Sequence, residues 1–143
     1  MLKIYKLFLL TLIAGALLIS CSDDNSITNN SSFDSNKLKS GAWRITYYWD
    51  TDHDETSRFS GHTFTFSDNG ALLVSTNSNS YSGTWSIGTD DSQQKLYLGF
   101  ISPSYLEEIS DDWHIIEQTD VKIRLQDVSG GNGGTDYLTF ERN

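Results

Sequence analysis

Few side chains in this 143-residue sequence are placed to do chemistry, and those few do not converge on one reaction. The densest set of potential ligands is Asp50-x-Asp52-x-Asp54, with Glu55 beside it. Alternating carboxylates on a flexible loop suit calcium, which takes several oxygen ligands. The glycine and glutamate of a calcium-binding EF-hand loop are missing, since Glu55 and Gly61 stand where they would fall. The set therefore reads either as a weak metal site or as a solvated acidic loop. His53, His62 and His114 are the only imidazoles, and none pairs with another at metal-ligand spacing. His53, between Asp52 and Asp54, offers at most a weak zinc site. No dedicated metal site and no cofactor is expected. Hydrolysis would need an activated nucleophile or two opposed carboxylates. No Gly-x-Ser-x-Gly elbow appears, and Glu107, Glu108, Asp111 and Asp112 share one loop where exposure leaves nothing to raise a pKa. The glycines from Gly130 to Gly134 introduce no helix and no phosphate-binding lysine. No catalytic residue is assigned, and the chain is expected not to be an enzyme.

The one remaining reactive group is the thiol of Cys21, the only cysteine, so an intrachain disulfide is excluded. Its setting gives it a role. Lys3 and Lys6 precede an apolar run from Leu7 to Ile19, broken only by Thr11 and Gly15. A run of about 13 residues suits the core of a signal peptide and is short for a bilayer span, which needs roughly 20. The competing reading is a signal anchor that stays in place. Leu18-Ile19-Ser20-Cys21 resembles the lipobox of bacterial lipoproteins, in which a small residue precedes an invariant cysteine. Ser20 stands where Gly or Ala is commoner, and Ile19 where Ala or Ser is commoner. The resemblance implies cleavage before Cys21, diacylation of its sulfur with palmitate-type chains, and acylation of the new amino terminus. Acyl chains that contribute about 0.8 kcal/mol per buried methylene would make that anchor practically permanent. Asp23 and Asp24 follow at once and resemble the surface-export signal of Bacteroidetes-type lipoproteins. They imply an outer-membrane protein, exposed at the cell surface; alternatively, they merely open a solvated linker.

Those positions need elements to carry them. Residues 1–20 form the leader, and residues 21–40 read as a lipidated, flexible tether. The stretch from Asn25 to Lys39 is rich in Ser and Asn, and buries too little to offset its ordering entropy. Phe33 and Leu38 are its candidates for first contact with a domain spanning residues 41–143. Apolar residues make up 37% of the chain and aromatics 13%, enough for a packed core. Removing Met1–Ser20 takes two lysines and no acid, so 19 acidic side chains face 8 basic ones, net −11. Such a surface repels phosphate backbones, and no nucleic-acid partner is expected.

From Gly41 onward, short alternating runs separated by turn residues predict an all-β fold. Trp43, Ile45, Tyr47 and Trp49 recur with period two and predict one apolar strand face. Asp50 to Ser60 reads as a charged loop. Phe64 and Phe66 alternate with Thr63 and Thr65, with His62 at the strand start. Asp68-Asn69-Gly70 is a tight hairpin signal, because Asn-Gly readily adopts positive φ. Ala71–Thr76, Tyr81–Ile87 and Leu96–Phe100 follow, with a loop from Gly88 to Gln94. Ser104 to Ser110 has room for one helical turn, with Ser104 as N-cap and Glu107 completing a capping box. Trp113–Gln118, Val121–Val128 and Tyr137–Arg142 complete eight strands, enough to close a small antiparallel up-and-down barrel.

Gly41-Ala42-Trp43 at the head of the first strand is similar to the Gly-x-Trp signature of lipocalins, whose fold is such a barrel. In that family a late arginine covers the tryptophan. The resemblance implies a barrel-closing pair of Trp43 and Arg142, since Arg142 shares its strand face with Leu138 and Phe140. The stretch from Gly41 to Glu141 also looks like the lipocalin-like domains of many Bacteroidetes lipoproteins. The aromatics Trp43, Tyr47, Trp49, Phe64, Phe66, Tyr81, Trp85, Phe100 and Trp113 are expected inside, filling most of the barrel. The function expected is a non-catalytic outer-membrane lipoprotein that displays this barrel to a small apolar ligand or a surface protein partner. The alternative is an extracellular enzyme, inhibitor or adhesion module that uses the acidic loops, with calcium in the adhesion case.

Overall fold

A computed structural model describes residues 32–128 and 134–143. The lipidation and export positions Cys21, Asp23 and Asp24 lie outside the described residues, as does most of the glycine loop. Eight strands form a closed antiparallel barrel: β1 (Ala42–Asp50), β3 (Thr63–Phe66), β4 (Ala71–Ser75), β5 (Ser80–Asp90), β6 (Gln93–Gly99), β7 (Asp112–Gln118), β8 (Lys122–Val128) and β9 (Thr135–Arg142). Each strand pairs with the next, and β9 returns to pair with β1, so the barrel has no open sheet edge of full length. A ninth strand, β2 (His53–Asp54), pairs only with the end of β1. No helix among the described residues is long and apolar enough to cross a membrane.

Alternation puts Phe64 and Phe66, Leu72 and Val74, Leu96 and Leu98, Ile123 and Leu125, and Leu138 and Phe140 inside. Edge-to-face contacts tie the aromatic part together: Phe140 meets Phe64 at 5.3 Å between ring centroids and Phe66 at 5.8 Å. Trp85 meets Phe66 at 5.7 Å and donates its indole N–H to Ser67 O at 3.0 Å. The interior is occupied by side chains.

Four local readings change. The alternation of β1 breaks at Thr46, where pairing with β9 passes from Ile45↔Phe140 to Tyr47↔Thr139. One extra residue on β1 reverses the faces beyond it. Tyr47 therefore points out and is 39% exposed, Tyr48 is buried in its place, and Trp49 is only half-buried. The expected loop from Gly88 to Gln94 is instead strand up to Asp90 and again from Gln93. Asp91 and Ser92 turn the chain with φ of 48° and 63°, the positive pair a two-residue hairpin requires. The helical turn α2 (Ser104–Glu107) exists, but its N-cap is Pro103 and no side chain caps it. Ser104 is already helical, so the capping box does not form. The charged loop after β1 holds β2 and a 3-10 turn (Thr56–Phe59), whose Phe59 is 1% exposed.

The segment read as tether ends in order. Helix α1 (Ser35–Lys39) is capped by Asp34, whose carboxylate accepts the Asn36 N–H at 2.9 Å. Leu38 is fully buried, and its apolar contact offsets part of the entropy of ordering five residues, with the bonds from Trp43 and Arg142 adding to it.

Candidate functional site

The strands carry the chain between two unlike ends. At the first, α1 lies with the short turns joining β3 to β4, β5 to β6 and β7 to β8. Trp43 donates its indole N–H to Leu38 O at 2.7 Å, and the Arg142 guanidinium lies 5.0 Å from the Trp43 ring centroid. Arg142 also donates to Ser40 O at 2.8 Å and to Lys37 O at 3.1 Å. A Cβ at Gly41 would come within 3.2 Å of that guanidinium, so the glycine leaves room for the arginine. Asp34 and Gln118 exchange two hydrogen bonds, of 2.8 and 2.9 Å. These bonds end largely on backbone carbonyls inside the fold. This end is a fastening.

The second end carries the connections 51–62, 76–79 and 100–111, the first and third longer than any described at the α1 end. Phe59 from the first of these, with Leu106 and Ile109 from the third, closes it over the core. The two segments also meet through polar groups. Arg58 is bonded by both Glu55 and Glu108, with one contact to Glu108 at 3.0 Å, and the two carboxylates raise its pKa. Tyr48 donates its hydroxyl to Glu108 O at 3.3 Å. Burial, then the charges of Asp50 and Asp136, push that phenol up from its ordinary range. His62 Nδ1 lies 3.2 Å from Ser60 O and Nε2 lies 2.9 Å from the Tyr105 hydroxyl. A carbonyl only accepts, so the neutral ring carries its proton on Nδ1 and Tyr105 donates to Nε2. Burial and Tyr81 push Tyr105 up to about 12.

The acidic residues do not gather as their spacing suggested. Asp54 turns back to accept the Thr56 N–H at 3.0 Å, and its bonds to Thr56 hold its carboxyl below the usual range. Asp52 pairs with the His53 ring. Asp50 sits at the end of β1, where burial and then Asp136 push its carboxyl up. The three serve separate local roles and form no common cage. His114 lies on the outer face, and its Nε2 finds no partner among the described residues.

A different set of carboxylates does converge: oxygens of Asp111, Asp112 and Asp127 lie within 4.8 Å of one another. Asp127 comes from β8, at the far end of the barrel sequence from the Asp50 cluster, so only strand pairing brings it here. Lys95, on β6, reaches into the group with its ammonium 2.5 Å from Asp112 and 3.5 Å from Asp90. Lys95 holds the Asp112 carboxyl below the usual range, while enclosure and then Asp127 push Asp111 up. Asp111 is thus exposed as a residue yet has a perturbed carboxyl, contrary to the expectation for that loop. Lys95 stands beside an inward-facing position, Leu96, of a strand whose Tyr97 pairs with Asp112, and only that pairing brings it to the carboxylates. A cation entering the group would meet a resident positive charge.

No protein-family model and no curated protein matches the chain. Among solved structures, a DUF4847 family protein from Bacteroides vulgatus ATCC 8482 is similar over 74% of this chain and 94% of its own, at 16% identity and a TM-score of 0.49. An LTBP1 in complex with LTC4 is similar over 79% of this chain and 72% of its own, at 14% identity and a TM-score of 0.45. A tyrosine-to-alanine variant of LTBP1 in complex with leukotriene C4 gives the same coverage and identity, at a TM-score of 0.44. Likenesses this distant do not extend to ligand or role.

Proposed function

We propose that the chain is a lipid-anchored, non-catalytic display module of the outer membrane, held by acylated Cys21 and presenting the long-loop end of its barrel. The observation that supports this reading is where the chain enters. It meets the barrel at α1, on the end fastened by Trp43 and Arg142, so the long loops stand at the opposite end. An anchor upstream of α1 joins the domain at its fastened end and takes up none of the long loops. A packed interior favours contact through the loops and outer face over carriage of a ligand inside, since a small apolar guest would have to displace side chains already there.

The titratable groups favour a structural reading. Arg58, Glu55, Glu108, Lys95 and Asp112 are each engaged by an opposite charge, and His62 is held at both ring nitrogens. A calcium-dependent adhesion site at Asp111, Asp112 and Asp127 is disfavoured by Lys95.

The anchor is tested by fractionation of cells carrying Cys21→Ala. The variant is expected to leave the membrane fraction for the soluble one; retention in the membrane would reject the model. In the same cells, Asp23→Ala with Asp24→Ala should keep the protein membrane-bound but protect it from added protease. Undiminished digestion would reject the export role.

A further inference from the structure

The barrel wall has one break in it. β3 pairs with β1 at Ala42↔Thr65 and Trp43↔Phe64 and goes no further, because the segment from Thr51 to His62 loops away between them. A half-open cleft of about 510 Å³ fills the gap, with Arg44, Ile45 and Thr46 on one wall and Ser57, Phe59 and Ser60 on the other. Its volume falls within the usual range for small-molecule sites, roughly 300–1,000 Å³.

The backbone ladder is interrupted there. Asn143 N–H donates to Ala42 O at 3.0 Å, which turns Ala42 and Arg44 toward β9 and leaves Trp43 and Ile45 turned toward β3. Trp43 meets Phe64, but Ile45 presents an N–H and a C=O to the cleft with no strand beside them. The side chains add to this. Thr46, Ser57 and Ser60 bring hydroxyls to the lining. The nearest carboxylate to the Arg44 guanidinium, Glu141, is at 3.8 Å, beyond hydrogen-bond reach. The lining contains this arginine and no aspartate or glutamate, in a chain of net charge −9.

We propose that this cleft binds a small polyhydroxylated carboxylate, of the chemical class of the sugar acids. The carboxylate pairs with Arg44, whose planar fork matches it, and the ligand hydroxyls meet Thr46, Ser57 and Ser60. Ile45 and Phe59 form an apolar floor. The site goes beyond the display reading and does not rest on Cys21.

Calorimetric titration of the full chain with D-glucuronate tests it, with D-glucose and acetate as controls. Glucuronate should saturate, with glucose and acetate each at least fivefold weaker. Arg44→Gln, at a side chain 53% exposed, should keep the fold by circular dichroism and weaken glucuronate at least tenfold. Ser60→Trp, at an exposed position, should abolish binding by filling the cleft. Absence of saturable glucuronate binding overturns the proposal, as does binding that survives either substitution. Acetate equal to glucuronate overturns it too, because that would be an anion site without hydroxyl recognition. None of these outcomes depends on membrane fractionation, so failure here is separable from failure of the anchor.

Discussion

The two ends of the barrel share a buried indole bonded to a plug carbonyl, Trp43 to Leu38 O and Trp113 to Ile109 O, and differ in how their arginines are held. At the α1 end, a buried leucine and an indole are held by bonds to backbone carbonyls, with Arg142 laid over Trp43. At the long-loop end the plug is again apolar, but the segments bearing Phe59, Leu106 and Ile109 are joined to one another by charged side chains near the surface. Bonds to buried carbonyls are little affected by salt or pH, whereas exposed ion pairs are screened and titrate. Exposed pairs tie α1 to its neighbouring turns as well, Lys37 to Asp120 and Lys39 to Asp68, so the difference lies in the arginines: carbonyls hold Arg142 and carboxylates hold Arg58.

The comparison can be broken most directly by removing each plug. Phe59→Ala should cost about 3–5 kcal/mol and Leu38→Ala about 2–5 kcal/mol, read from denaturant unfolding. A loss below about 0.5 kcal/mol for Leu38→Ala would mean that α1 is not part of the folded unit. A smaller effect should separate the ends by chemistry. Arg58→Ala should cost about 0–1 kcal/mol, because its partners are substantially exposed, and the loss should shrink further in high salt. A salt-independent loss of several kcal/mol would place Arg58 in a role like that of Arg142.

The smallest expected effect concerns pH, and its sign differs between neighbours. Asp112 has a folded pKa held below its unfolded value of about 3.9, so the stability it adds is present above that value and lost as pH falls through the folded pKa. Asp111 has a folded pKa raised above the unfolded one, so its stability is full below about 3.9 and lost as pH rises through the folded pKa. Asp111→Asn keeps an oxygen to accept the Asp112 N–H and should raise the melting temperature slightly at pH 7. At pH 3 it should change nothing. A destabilised variant at pH 7 would show that the charge on Asp111 is useful to the fold.

Much of the barrel was legible because alternation is a local consequence of the pleat. Phe64 and Phe66, Leu96 and Leu98, and Leu138 and Phe140 could be assigned to one face without knowing what they face. Tyr47 and Tyr48 could not be ordered, because the extra residue at Thr46 is defined only against β9. Phe59 was obscured by the charged residues around it, although a lone phenylalanine in a polar loop is itself a sign of an anchor. The helix capped by Asp34 reads as tether in the sequence, because a helix of five residues has no stability until Leu38 finds the barrel. The site was less legible still. Asp50, Asp52 and Asp54 are close in sequence and serve separate ends, whereas Asp111 and Asp127 meet only because β7 and β8 are paired.

The sequence by itself determined the class of fold, the positions of most strands and turns, and the uniqueness of Cys21. Each of these rests on periodicity, turn chemistry or composition, which a chain carries before it folds. The tertiary structure alone decided that α1 and Phe59 stop the two ends, and that β1 and β3 part to leave a cleft. These depend on closing β9 against β1, a contact between residues about a hundred positions apart, and no local pattern encodes where a barrel wall will open.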